Sequence, residues 1–311
     1  MFKRFLRCMS AFLVLVMLFN MVPVQALESL SENVSATEEI TQSEDVAETS
    51  NIIAELSTER DAYTKRFLLD NGNTMAVQYA IPVHYQDSDG AWQQYDNRMT
   101  EIEAEVADAT VTDNADAEFR VIRSDKDIRL SKKASEKKLV TIEKDGHEIS
   151  WGFSGINKVD VVFTEEDSTY EGNDAFLTLE GIVQEARYDD AFFNADLQYY
   201  ILPTGVKENI ILKNADAQNE FEMEYKFHKL TATQTDSQHI TLSDQDGNPI
   251  YTITAPTMCD ANGVWSNALT LSIVEAKQNK LIIKLTADEQ WLQDEERSFP
   301  VNTFSDLCAV K

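Results

Sequence analysis

Apolar and polar residues alternate with a period of two along most of the chain beyond residue 57. The alternation is clearest in 118–124, 138–153 and 194–212. Successive side chains of a β-strand point to opposite faces, so this pattern predicts strands with one buried face. Turn residues separate these runs about every ten residues. No regular alternation of strands and helices, as in a parallel α/β sheet, is seen. The pattern therefore predicts an all-β fold of antiparallel β-sandwich-like modules.

Short glycine-containing turns mark the predicted hairpins. They read "DNGN" at 70–73, "DSDG" at 87–90 and "KDG" at 144–146. Asn-Gly and Asp-Gly supply the positive φ angles that tight hairpin turns require. Pro82 interrupts one of the runs, and a proline cannot donate to a strand ladder, so its strand is expected at an edge or a bulge. The block 58–99 is predicted to be a meander of three or four strands.

The stretch "NADLQYYILPTGVKENIIL" at 194–212 carries a Lys-Glu pair just after a break. Pro203 and Gly205 predict a tight reversal between two strands. Lys207 and Glu208 are neighbours on the second strand, so they are expected on opposite faces of the sheet. The pair is therefore interpreted as a mark of the strand and not as a reactive site.

The first 26 residues have the composition of a secretory signal peptide. A positive region with Lys3, Arg4 and Arg7 precedes an apolar run of 9–21, and small residues end at Ala26. Cleavage is expected after Ala26. The predicted organisation is a signal peptide (1–26), a disordered acidic linker (27–54), an N-terminal β-meander region (55–117), a β-sandwich region (118–303) and a divergent tail (304–311). The mature protein is expected to be secreted and not embedded in a membrane.

The chain is strongly acidic. Its net charge is −27, and removal of the three basic leader residues would make it −30. Such a charge repels phosphate backbones and favours solubility, so a nucleic-acid partner is not expected. Cys259 and Cys308 would remain after cleavage, and their spacing does not establish whether they pair.

Acidic turns are the candidates for calcium binding. Asp87 and Asp89 in one turn, and Asp244 and Asp246 in another, place carboxylates two residues apart before a glycine. Calcium loops use this spacing, but ordinary hairpin turns use it too, and the later acidic ligand of an EF-hand is missing. Plain turns are the expected interpretation, and calcium binding stays open.

Candidate catalytic groups are scattered. Ser154 precedes Gly155, but the full Gly-x-Ser-x-Gly pattern is missing. The histidines, which occur in strand-like or turn segments, are His84, His147, His228 and His239. The aromatic residues that either fill a core or line a sugar-binding face are Trp92, Trp151, Trp265, Trp291, Tyr199 and Tyr200. We expect core packing, and no catalytic, cofactor-binding or metal-binding residue and no cofactor are predicted.

Several motifs in a fixed order resemble the N-terminal region of wall-associated YD-repeat (RHS-type) proteins of Gram-positive bacteria. The first matching positions are Phe67, Pro82, His84, Tyr85, Asp87, Gly90, Trp92, Asp96 and Asn97. Later matching blocks are 195–212, 244–263 and 291–301. The resemblance implies an extracellular β-rich module that precedes a YD-repeat shell, in some members with a C-terminal toxin.

The resemblance implies an exported, non-catalytic structural or adhesive module and not an enzyme. Cell-wall or surface polysaccharide, or a downstream YD-repeat shell, is the expected partner. The alternative is a secreted carbohydrate-binding module or a glycoside hydrolase. The sequence stops soon after Val301, where the family pattern continues, and whether the chain is a truncated or split-off piece of a larger protein stays open.

Overall fold

The computed structural model describes residues 50–102, 118–134, 137–164, 171–234 and 239–309. The predicted signal peptide, the linker up to residue 49 and the acidic segment 103–117 lie outside the described residues. Within the described ranges, no helix is both long enough and apolar enough to cross a membrane.

Twenty-three strands, two short α-helices and one 3-10 helix (Ser57–Glu59) make up the regular structure of the described ranges. The first strands are β1 (Ile52–Glu55), β2 (Thr64–Leu69), β3 (Thr74–Gln78), β4 (His84–Gln86), β5 (Trp92–Gln94), β6 (Asp96–Ile102), β7 (Glu118–Arg123), β8 (Asp127–Ser131), β9 (Val140–Lys144), β10 (His147–Phe153) and β11 (Val161–Phe163). Helix α1 (Asn173–Leu177) follows. The next strands are β12 (Gln184–Phe192), β13 (Ala195–Leu202), β14 (Gly205–Leu212), β15 (Glu220–Phe227), β16 (Thr231–Gln234), β17 (Ile240–Ser243), β18 (Pro249–Ile253), β19 (Thr257–Cys259), β20 (Trp265–Ser266), β21 (Leu269–Lys277) and β22 (Lys280–Ala287). Helix α2 (Glu289–Leu292) precedes β23 (Val301–Ala309).

The strands form two large antiparallel sheets and two small ones. The eight-stranded sheet has the order β21-β22-β15-β10-β9-β8-β7-β6. The ten-stranded sheet has the order β11-β12-β13-β14-β23-β18-β17-β16, and the β19–β20 hairpin pairs with β23. Strands β1-β2-β3 and β4-β5 form the small sheets. The predicted all-β antiparallel fold is confirmed.

The predicted hairpin turns lie where the sequence placed them. Asp145 and Gly146 join β9 to β10 with φ angles of 52° and 80°, which suit a two-residue reversal. Leu202 pairs with Gly205, so Pro203 makes the tight turn between β13 and β14. Pro82 lies outside the strands, between β3 and β4, where its missing donor leaves no gap in a ladder.

The main core lies between the inner faces of the two large sheets. Trp151 on β10 contacts Tyr199 on β13, with ring centroids 6.4 Å apart. Phe153 on β10 contacts Phe192 on β12 at 5.3 Å. All four rings are almost fully buried. Aromatic side chains bury large areas and favour edge-on contacts of this kind, so these rings fix the face-to-face packing of the sheets.

A second small core holds the β4–β5 hairpin against the segment before β12. Val83, Tyr95 and Ile182 form it. Asn97 is fully buried, and its Nδ2 donates to the Ile182 carbonyl at 2.7 Å. The hairpin therefore lies beside the edge of the eight-stranded sheet, where β6 and β7 pair.

Candidate functional site

A groove of about 1180 Å³ lies at this edge of the eight-stranded sheet. The β4–β5 hairpin contributes Tyr85, and β7 contributes Arg120 and Arg123. The turn after β7 and the end of β9 add Lys126 and Lys144. Four cationic and four acidic side chains thus line this groove, and the net charge of the whole chain is −27.

Arg120 and Arg123 reach the solvent in the groove. Their side chains are 51% and 54% exposed. Arg120 Nε donates to Asp127 Oδ1 at 2.6 Å, and Arg123 lies 3.6 Å from Asp96 Oδ2. Pairs at this exposure are screened by water, so both guanidinium groups keep the capacity to meet an anion.

Two groups beneath these arginines have fixed partners. Lys126 is buried, and its Nζ donates to Asp125 at 2.5 Å and to the Pro203 carbonyl at 2.7 Å. Burial opposes ionisation of Asp96, but hydrogen bonds and charge from Arg98 outweigh it and hold the pKa of Asp96 below its ordinary value. Lys126 therefore stabilises the wall of the groove, and Asp96 lies 3.6 Å from the Arg123 guanidinium.

His84 belongs to a separate polar cluster in the N-terminal sheets. Its Nδ1 lies 2.8 Å from the Asp61 carbonyl, and its Nε2 lies 3.6 Å from Glu55 Oε1. Burial raises the pKa of Glu55, but the nearby His84 ring and the hydrogen bond and charge of Arg60 lower it to about 2. A carboxylate with so low a pKa is a weak base, so the contacts favour an ion pair of Glu55 with Arg60 over a catalytic role.

The remaining predicted catalytic candidates lie apart from one another. Ser154 is exposed, and its hydroxyl donates to Glu222 at 3.1 Å. His147 begins β10, His228 is exposed after β15, and His239 lies just before β17. The structure brings none of these four into one constellation among the described residues.

The acidic turns use their carboxylates to close the backbone. Asp87 Oδ1 accepts from the amides of Asp89 and Ala91 at 3.0 Å and 2.9 Å. Asp244 Oδ1 accepts in the same way from Asp246 and Asn248. Side chains bonded to their own turn have fewer free lone pairs for an ion. Within the described ranges, no three His, Cys, Asp or Glu side chains group closely enough to hold a metal.

Cys259 is a buried free thiol on β19. It pairs with Asn302 in the β19–β23 register, six positions before Cys308 on the same strand. At ~3.3 Å per residue, six positions separate the backbones by roughly 20 Å. A disulfide needs its Cα atoms within about 7 Å, so these two cysteines do not pair within the chain.

The tryptophans have different environments. Trp151 is buried and stacks on Tyr225 with 5.6 Å between ring centroids. Trp92 and Trp291 are half-buried, and Arg297 lies over the Trp291 ring. Trp265 is 61% exposed. The expected core packing therefore describes Trp151 and not Trp265.

Glu208 is a buried carboxyl between the two large sheets, which the sequence interpretation treated only as a strand residue. Trp151 Nε1 donates to its Oε2 at 3.1 Å, and the Tyr199 hydroxyl donates to the same oxygen at 2.9 Å. Burial raises its pKa to about 7, although hydrogen bonds from Trp151, Tyr199 and Ser305 partly oppose the rise. Lys207 points the other way, over the Phe304 ring, so the predicted opposite faces are confirmed.

Comparison with known proteins identifies relatives with enzyme names. No family model matches the chain. The chain is 25% identical over 325 residues to "tRNA nuclease WapA" of Bacillus subtilis. It is also 25% identical over 324 residues to "tRNA3(Ser)-specific nuclease WapA" of Bacillus spizizenii. Each alignment covers 97% of this chain and 13% of the relative, so the chain spans about one eighth of the length of these relatives.

These names correct four expectations drawn from the sequence. The assignment to wall-associated YD-repeat proteins and the non-catalytic structural or adhesive role are both contradicted, because the relatives carry the names of nucleases. The expectation that the protein is not an enzyme is wrong for the same reason. The expectation that nucleic acid is not a partner is also contradicted, because the names of the relatives specify tRNA.

The prediction that excluded nucleic acid relied on net charge, which is a property of the whole chain and not of one surface. Binding depends on the charges within about a Debye length of the ligand, roughly 8 Å at physiological ionic strength. Arg120 and Arg123 both line the groove and are about half exposed, although the whole chain is acidic. The enzyme prediction rested on local motifs alone, and the names of the relatives overturn it.

Proposed function

We propose that this chain functions within a tRNA nuclease, as a segment that contacts the tRNA through the groove of Arg120 and Arg123. The observation that carries the proposal is the alignment of 97% of the chain with proteins named as tRNA nucleases. The chain matches only 13% of their length, so the proposal concerns a part of such an enzyme.

The chemistry of the groove supports contact with an RNA backbone. Arginine guanidinium groups bind phosphate oxygens in a bidentate manner, and Tyr85 places a half-buried ring beside them. Asp87, Asp125, Asp127 and Asp145 also line the groove, so four carboxylates balance its four cations in formal charge. We therefore assign it the recognition of one or two phosphates and not of a long stretch of backbone, so its affinity falls only modestly as salt rises.

The test is binding and cleavage of unfractionated tRNA by the full chain at low salt. The variant Arg120→Gln/Arg123→Gln removes two positive charges from the groove. The matched control, Lys277→Gln/Lys284→Gln, removes two positive charges from β21 and β22, at the opposite edge of the same sheet. Thermal unfolding checks that both variants fold.

We expect the groove variant to bind tRNA at least about tenfold more weakly and to reduce the slope of log K against log salt, because each lost phosphate contact removes about one unit of that slope. The control variant should bind like the wild type. If wild-type protein neither binds nor cleaves tRNA, or if both variants lose affinity equally, the proposal is wrong.

We also propose that the chain is exported. The basic and apolar leader 1–26 and the acidic composition of the rest support export. The test is to express the full chain in a Gram-positive host and to sequence the N-terminus of the protein in the medium. We expect it to begin at Leu27. Retention inside the cell with Met1 in place would contradict export.

A further inference from the structure

An exposed aromatic patch lies on the outer face of the ten-stranded sheet. Trp265 is 61% exposed, and its ring centroid lies 5.8 Å from that of Phe304, with an interplanar angle of 32°. Lys207 Nζ lies 4.6 Å from the centroid of the Phe304 ring. We call these three residues the aromatic platform.

The strand register explains why the platform faces outward. On β14, Glu208 and Ile210 are buried in the core, so Lys207 points to the other face. On β23, Val301 and Thr303 are buried, and Phe304 lies opposite Asn209 on the outer face. Asn209, Ile211 and Asn302 on the same face are buried as well, so the platform lies beside a covered part of this face, outside the main core.

Trp265 is held in place by a fixed turn. Its strand, β20, pairs with β19, which pairs with β23. In the turn between them, Asp260 Oδ1 accepts from the amides of Asn262 and Val264, both at 2.9 Å. Asp260 Oδ2 accepts from Arg297 at 3.1 Å, and this pair is almost fully buried. The indole is therefore presented on an ordered turn, which reduces the entropy lost when a ligand binds.

We propose that the aromatic platform stacks an unpaired base of an RNA, with Lys207 beside the phosphate of the same nucleotide. The inference rests on the proposed function, and it names a second contact surface, separate from the groove. A large exposed ring next to a cation matches the two parts of a nucleotide, its flat base and its charged phosphate. Bases inside a duplex are already stacked on one another, so only unpaired nucleotides can reach the platform.

The experiment measures binding of the full chain to three RNA probes. The first is a single-stranded RNA of about ten nucleotides, within the usual site size of single-strand binders. The second probe is a sugar-phosphate chain of the same length without bases. The third probe is a duplex, formed by annealing the single-stranded RNA to its complement. If the contact is made by stacking, only the single-stranded RNA should bind. If it is purely electrostatic, all three probes should bind.

The variants are Trp265→Ala, Trp265→Phe and Lys207→Ala. Phe193→Ala is the control, because Phe193 is 65% exposed and lies in a different turn, between β12 and β13. We expect Trp265→Ala to weaken binding of the single-stranded probe about tenfold, since one base stack has an effect of this order. Trp265→Phe should retain most of the affinity, and Phe193→Ala all of it. In the wild type, the indole fluorescence should be quenched by the single-stranded probe alone.

Two outcomes separate the platform from the proposed function. If tRNA binds but Trp265→Ala binds single-stranded RNA like the wild type, the platform is refuted and the tRNA function stands. If the short single-stranded RNA binds through Trp265 but tRNA is neither bound nor cleaved, the platform stands and the tRNA function falls. Equal binding of the base-free probe would also refute stacking.

Discussion

The buried carboxyl of Glu208 makes the stability of the fold depend on pH. Its pKa is about 7 in the folded protein, against 4.5 in its ordinary state. Each pKa unit corresponds to about 1.4 kcal/mol, so the difference amounts to roughly 3 kcal/mol of folding free energy. Tyr199 and Tyr225 face the carboxyl, and burial together with the charge of Glu208 holds the pKa values of both well above their ordinary value. These two therefore stay neutral through the transition.

The sign follows from which state holds the proton. Below pH 4.5 Glu208 is protonated in both the folded and the unfolded chain, so its contribution is fully present. Between pH 4.5 and about 7 only the folded chain keeps the proton, so rising pH favours unfolding. Above that range the full penalty of about 3 kcal/mol remains, because a buried carboxylate has lost its hydration.

Urea unfolding at a series of pH values from 4.5 to 8 measures this contribution. Glu208→Gln keeps an oxygen that accepts from Trp151 and Tyr199 and gains an amide that donates to Ser305, but it does not titrate. We expect the wild type to lose about 3 kcal/mol more than this variant across the series. Glu295→Gln, in the exposed turn after α2, should follow the wild type. Parallel curves for the wild type and Glu208→Gln would refute the reasoning.

Two further substitutions test the packing around buried polar groups. Gly181→Ala places a methyl group 2.6 Å from Asp96 Oδ1 at a φ of +66°, so it should lower stability by more than about 1 kcal/mol. Gly263→Ala is the control and should cost less, because its new methyl group meets nothing within 4 Å. Equal melting temperatures for the two variants would contradict this. Trp151→Phe removes a donor to the buried Glu208 carboxylate and should cost about 1–3 kcal/mol at pH 8 and less at pH 5, where the carboxyl is neutral. A loss in urea unfolding that is the same at both pH values would show that only lost packing matters.

Local features of the fold were predictable from the sequence because their causes are local. The "KDG" turn specifies its own hairpin, since Asp145 and Gly146 adopt positive φ at little cost. Alternation along 194–212 placed Lys207 and Glu208 on opposite faces, as observed. Pro82 was expected within an edge or bulged strand, but the structure places it in the connection between β3 and β4.

Features that depend on distant residues were not predictable. Glu208 and Trp151 are 57 positions apart, and only the packing of the two sheets brings them together. The groove similarly combines β4, β7 and β9, and its arginines carry no local motif. Trp265 and Trp151 both follow strand-like patterns, yet one lies on the outer surface and the other in the core, because burial depends on which sheet covers each face.

The position of β23 determines when the ten-stranded sheet becomes complete. This strand is the last in the described sequence, but it lies between β14 and β18 and pairs with both. During synthesis, the edges of β14 and β18 that pair with β23 keep unpaired backbone groups until residues 301–309 have emerged. Exposed strand edges readily pair with other chains. Closure of the sheet therefore waits for β23, and a nascent chain needs protection of those edges until this strand has been synthesised.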